Sequence, residues 1–229
     1  MWGRIKKMSV CQTTKQIQCS ANRSAYCDAF YNHAHQLIGM GYTSMDYNRY
    51  QKSEETEITG ELVKSIQAIL EKENSPPWVG FYSVHDDPPI NRDGSFGKHR
   101  QRVDIKIERV LRGPRPKMQF EAKRLYNGTS VAKYLGKEGL GCFLSGEYAR
   151  ESQEAGMLGY VQVDNESAWA DKIKKRIEKN PKDYFINDNG EWNKTSIIPK
   201  LKYSYRTAHN RSQVGSDIGI SHILLKFCN

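Results

Sequence analysis

The sequence predicts a mixed α/β (α+β) fold, and three observations carry that expectation. Residues 22–38 and 54–70 repeat apolar side chains at i+3/i+4 spacing, the mark of amphipathic helices. An apolar aromatic run at 78–84 and two short segments at 102–108 and 118–125 have strand character. Beyond them helix and strand patterns alternate into a β-rich tail. At 229 residues the chain is expected to form a single domain, with an N-terminal helical extension (1–50), a core (54–163) and a basic helix followed by C-terminal strands (164–229).

In chain order, residues 1 to about 20 show no clear period and read as an arm or peripheral strand. Tyr26, Phe30, Ala34, Leu37 and Ile38 then mark the first helix, with Gly39 and Gly41 as stop signals. Residues 42–50 read as a linker whose Tyr42, Tyr47 and Tyr50 suit either packing or base stacking. Ile58, Leu62, Ile66 and Ile69 or Leu70 define the core stripe of the second helix. Glu54, Glu57 and Glu61 share its neighbouring face, and acids in a first turn also suit the helix dipole. Pro76 and Pro77 end this helix, and residues 78–84 read as a central strand. A polar loop follows, carrying Asp86 and Asp87 and flanked by His85 and His99. Further on, a helix is expected at 130–137, a strand at 140–144, a strand at 156–163, a basic helix at 167–179 and a terminal strand at 218–227.

Composition narrows the function. Mean hydropathy is −0.74, and no segment approaches the ~18 apolar residues of a membrane span. Arg4, Lys6 and Lys7 are not followed by an apolar signal core, so no secretory signal is expected. Five cysteines without a CxxC pair suggest free thiols and a cytoplasmic setting. Cys27, His33 and His35 lack a fourth ligand at zinc-site spacing. The net charge is +9, which suits a polyanionic partner. Residues 97–124 hold ten Lys/Arg against three Asp/Glu, and residues 192–216 hold five basic residues and no acid.

The chemistry concentrates at residues 102–125. If 102–108 and 118–125 pair as a hairpin, Asp104, Glu121 and Lys123 gather on one face. Two carboxylates and an ammonium on a rigid sheet suit a divalent metal and a phosphodiester. Asp104, a gap, and Glu121-x-Lys123 resemble the PD-(D/E)xK signature of the restriction-endonuclease-like nuclease superfamily, with Val103 in place of the proline. The order helix, three strands, helix, strand over residues 54–163 is similar to that superfamily's αβββαβ core. No GxxxxGK[ST], GxSxG, HExxH or GxGxxG motif competes.

The resemblance implies a metal-dependent endonuclease hydrolysing DNA, with Asp104, Glu121 and a helix glutamate (Glu57, preferred to Glu61) holding Mg²⁺, or Mn²⁺ as a substitute. It implies that the Ala122 carbonyl adds a ligand and that Lys123 serves the transition state or positions water. Arg109, Arg112, Arg115 and Lys117 in the hairpin turn would track phosphates, of DNA rather than RNA. Restriction or antiviral defence follows by analogy, as does assembly as a homodimer or a subunit of a larger complex. Two further readings are a nucleic-acid-binding subunit without its own cleavage activity, and a structural protein whose three charges form a cross-strand ion-pair cluster.

Overall fold

A 35-residue helix, α1 (Val10–Ser44), opens the fold. The computed structural model describes residues 10–90, 100–110, 115–187 and 190–228, with side chains from residue 25 onward. The helix covers ground expected to be an arm, because residues 10–24 contain no helix breaker although their apolar residues are too sparse to show a period. It also runs through Gly39 and Gly41. A Cβ at Gly39 would lie 2.6 Å from Ile198 Cδ1, and one at Gly41 would lie 2.5 Å from Ile66 Cγ1. These glycines are close-approach points for packing, not stops. Tyr42 is a packing residue: its hydroxyl donates to the Lys226 carbonyl at 2.9 Å.

Helix α2 (Glu55–Glu71) buries Ile58, Leu62 and Ile66 of the expected stripe together with Thr59 and Val63, while Ile69 and Leu70 are partly buried against the same core. The run at 78–84 divides into a 3-10 turn (Pro77–Phe81) and strand β1 (Tyr82–Asp86). Its aromatics serve α1: Trp78 stacks on His33 with ring centroids 4.1 Å apart, and Tyr82 Oη lies 2.8 Å from His33 Nδ1. β1 is therefore a sheet edge and not a central strand.

The described strands form one mixed seven-stranded sheet in the order β1-β2-β3-β4-β7-β6-β5. They are β2 (Ile105–Arg109), β3 (Lys117–Leu125), β4 (Glu154–Val161), β5 (Asn193–Thr195), β6 (Ser204–His209) and β7 (Ile218–Lys226). The β1-β2-β3 and β5-β6-β7 groups are antiparallel, while β3, β4 and β7 pair in parallel at the centre. β4 and β7 are buried on both faces, as parallel strands covered by helices require.

Each face has its own core. α1 and α2 pack over Ile105, Ile107, Phe120, Ala122, Tyr160 and Ile223. On the other face α3 (Ser130–Leu135), α4 (Leu140–Leu144) and α5 (Glu166–Lys179) cover Leu125, Met157, Val161 and Leu224. The expected strand at 140–144 is α4, a reversal with a local cause. Gly139 enters so tight a turn that a Cβ there would sit 2.3 Å from the Tyr134 carbonyl oxygen. A short apolar run suits either element, and here the turn feeds a single helical turn that buries Leu140, Cys142, Phe143 and Leu144. No described helix is long and apolar enough to cross a membrane.

Candidate active site on the free edge of β3

The register of β2 and β3, Ile105 opposite Phe120, carries Asp104 to the position beside Glu121. There β2 leaves its partner. The Val103 N–H turns to the Pro88 carbonyl at 3.4 Å, and the Asp104 carbonyl accepts from Asp87 N at 2.9 Å. Asp87 adopts φ 43°, a left-handed conformation that Asp tolerates better than most residues, and its N–H reaches Asp104 through that bend. Beyond this splay, the N–H groups of Ala122 and Arg124 point along the edge that β2 has vacated. Carboxylates take them in place of a ladder: Asp104 Oδ2 accepts from Ala122 N at 2.6 Å, and Glu55 Oε2 accepts from Arg124 N at 3.1 Å. The fold thus fixes two acids by main-chain hydrogen bonds at the point where the strands separate.

Glu121 and Lys123 project from the same face of β3 as the period-two rule demands. Lys123 Nζ donates to Glu121 Oε1 at 2.7 Å, Glu55 Oε1 at 2.9 Å and the Ala122 carbonyl at 2.7 Å, so all three of its protons are bonded. The cluster is largely shielded from water, with Glu121 only 5% exposed. Burial pushes the Asp104 carboxyl up to about 6; Glu55 and Asp87 add to this, while Lys123 and the Ala122 N–H oppose it. Burial, then the charge of Asp104, pushes Glu121 up to about 8 against the pull of Lys123. Burial alone would lower the Lys123 ammonium, but Glu121, Glu55 and Asp104 outweigh it and hold the group protonated.

Asp104, Glu121 and Lys123 therefore converge as their spacing suggested, but Glu57 does not join them. Its Oε2 accepts from the Glu54 N–H at 3.1 Å, closing a capping box with Glu54 as the N-cap. Glu55, on the opposite side of the first turn, takes the place expected of Glu57. The Glu54-x-x-Glu57 spacing was the available signal, since it reads as a cap and leaves Glu55 free to face the sheet.

The basic residues are distributed differently from expectation. Arg109 and Lys117, at the ends of β2 and β3, lie at the other end of the pair from the acids, with Lys117 and Glu121 four strand residues apart, about 13 Å. Arg115 and Lys117 are exposed there, and Arg112 lies outside the described residues. Arg109 is a packing residue: its guanidinium lies 4.7 Å from the Tyr26 ring centroid, and its Nε is buried without a hydrogen-bond partner. Arg211, in the basic stretch 192–216, is also buried, donating to the carbonyls of Phe143, Ala149, Ser152 and Ser216. Arg124, next to Lys123 in β3, bonds Glu54 and lies 4.6 Å from the Tyr126 ring centroid. His85 Nε2 lies 2.9 Å from Glu108 Oε1, and His99 lies outside the described residues.

Comparison of the chain with models of protein families gives no match, and neither does comparison with curated proteins or with solved structures. The site must speak through its own chemistry. Among the described residues no three His, Cys, Asp or Glu side chains are already arranged around a metal position. Asp104, Glu121 and the Ala122 carbonyl nevertheless supply hard oxygen donors, and Mg²⁺ needs few protein ligands because it keeps several waters. Three carboxylates gather around one ammonium, and burial, with the neighbouring carboxylates adding to it, raises Asp104 and Glu121. That donor set fits a divalent cation.

Proposed function

We propose that this protein is a Mg²⁺-dependent endonuclease of the PD-(D/E)xK kind that hydrolyses DNA phosphodiester bonds, in restriction or defence against foreign DNA. The observation that carries the reading is the free edge of β3, where Asp104, Glu121, Lys123 and the Ala122 carbonyl meet beside a helix carboxylate, Glu55. The order α2-β1-β2-β3-α3-β4, with β1-β2-β3 antiparallel and β3-β4 parallel, supports the restriction-endonuclease-like αβββαβ core; α4 is an addition to it.

In this reading Asp104, Glu121 and the Ala122 carbonyl hold the ion, which when bound polarises the phosphate and acidifies an attacking water. The Ala122 N–H keeps Asp104 aimed, so the site does not depend on side-chain packing alone. Lys123 is not a general base, because its neighbours hold it as an ammonium. It places positive charge beside the phosphate oxygens, where charge grows in the transition state. Glu55 anchors Lys123 and caps the exposed Arg124 N–H. Glu121, raised to about 8, would give up its proton in order to hold a cation, so activity is expected to rise with pH towards 8.

The test incubates wild type and Lys123→Ala with duplex DNA, single-stranded DNA and RNA, in Mg²⁺ or EDTA. Cleavage of DNA by the wild type, dependent on Mg²⁺ and lost in the variant, is expected. Equal cleavage by both proteins refutes the site. Cleavage of no substrate by the isolated chain favours the nucleic-acid-binding subunit.

A further inference from the structure

The basic helix α5 belongs to neither the hairpin turn nor the acidic cluster, yet it borders a groove of about 510 Å³. Lys172, Lys175, Arg176 and Lys179 line it together with Tyr126 and Val163. The four cations recur at i, i+3, i+4 and i+7, so they form one stripe about 10 Å long. Ile173 and Ile177 on the buried face hold the helix to the sheet and turn the stripe outward. Lys172 is partly committed, bonding Asp164 at 2.9 Å and lying 4.1 Å from the Trp169 ring centroid. Among the described residues Lys175, Arg176 and Lys179 form no ion pair, while Lys174, off the groove, pairs with Glu178. Tyr126 is 37% and Val163 47% exposed, a high exposure for such apolar side chains.

The groove adjoins the candidate site through a single residue. The Arg124 N–H is bonded to Glu55 of the cluster, and its guanidinium covers the Tyr126 ring. Tyr126 follows Leu125, the last residue of β3, and so lies at most about 10 Å of chain from Lys123.

We propose that this groove binds one strand of nucleic acid, with the α5 cations on consecutive phosphates and Tyr126 against a base or sugar. The proposal rests on the nuclease reading, of which it names the substrate track. Each phosphate of a strand rises about 3.4 Å along a duplex axis and stands farther than that from its neighbour along the backbone, so a stripe of about 10 Å matches two or three consecutive phosphates. A single exposed ring offers stacking that any unpaired base can use.

The experiment measures fluorescence anisotropy of a labelled 20-nucleotide single strand and its duplex in EDTA, where no metal-dependent cleavage intervenes. Lys175→Glu/Arg176→Glu, at exposed positions, is expected to weaken binding at least about tenfold and to lower the single-strand salt slope by about 1.4. Tyr126→Ala is expected to weaken the single strand roughly tenfold and more than the duplex. Arg115→Glu/Lys117→Glu, at the far hairpin end, is expected to change binding less than about threefold. Circular dichroism checks that each variant is folded. Binding unchanged in the α5 variant, or lost only in the hairpin variant, overturns the groove, as does failure of the wild type to bind either probe. Wild-type cleavage in Mg²⁺ with groove-independent binding leaves the nuclease reading standing without this track. Groove-dependent binding without cleavage of any substrate supports the track and refutes the nuclease.

Discussion

Glu121→Gln separates stability from function at the site most sharply. In the folded protein the Glu121 carboxyl titrates at about 8 instead of its ordinary 4.5. A carboxyl raised on folding favours the fold while protonated, below its unfolded value, and loses that contribution as pH rises through the folded value. At pH 7 the carboxylate has ionised in the unfolded chain but is resisted in the fold over about 2.5 pH units, a ceiling of about 3 kcal/mol. Glutamine is a permanently neutral stand-in of the same shape. We expect it to stabilise the protein by about 2 kcal/mol at pH 7 without divalent metal, or about 4–8 °C in Tm for a chain of this size. The gain shrinks to nothing near pH 4.5 and grows towards pH 8. Thermal melts at pH 4.5, 6, 7 and 8 in EDTA, with cleavage assayed in parallel, check it. A lower Tm than wild type at pH 7 and 8 refutes the argument that this carboxylate is held at a cost.

Three other perturbations have defined outcomes. Lys123→Met leaves Glu121 and Glu55 without their cation and is expected to destabilise by about 3–5 kcal/mol in urea titrations; adding Glu121→Gln to it recovers part of the loss. Arg211→Met strips donors from four carbonyls and is expected to lose about 3 kcal/mol or more, with no specific effect on nucleic-acid binding. Burial lowers His35 and His209 to about 4 and His222 further, so the fold favours neutral imidazoles. Their contribution is complete above the unfolded value near 6.5 and is lost as pH falls from there towards 4, about 3 kcal/mol each for His35 and His209 at most. Urea titrations of Glu121→Gln at pH 7 and pH 5 are expected to show a net loss. Asp104, raised to about 6, is then the one acid of the cluster with a raised carboxyl that gains stability over that range, and it offsets only part of the histidine loss.

Much of the layout was legible from periodicity. The second helix, the β2–β3 pair, β4, α5 and β7 all lie where the residue pattern put them, because each carries a long or regular burial pattern. The misses have physical causes. Gly39 and Gly41 looked like breakers because sequence does not show that α1 must approach Ile198 and Ile66 closely. The run at 78–84 looked central because aromatics stacked on one helix resemble a strand covered on both faces. At the site, strand spacing was enough to bring Asp104, Glu121 and Lys123 together. Choosing between Glu57 and Glu55 required knowing which side of the first turn faces β3. Counting charge along residues 97–124 overstated the cations at the cluster, since Arg109 packs on Tyr26 and Lys117 lies about 13 Å along β3 from Glu121.

A Mn²⁺ titration at pH 8, followed by the loss of the free-ion electron paramagnetic resonance signal, tests the central claim without reference to any substrate. Wild type is expected to bind one or two ions, and Asp104→Ala and Glu121→Gln to bind far more weakly, each having lost one of the two carboxylates of the free β3 edge. Equal Mn²⁺ binding by all three proteins would contradict a metal site there.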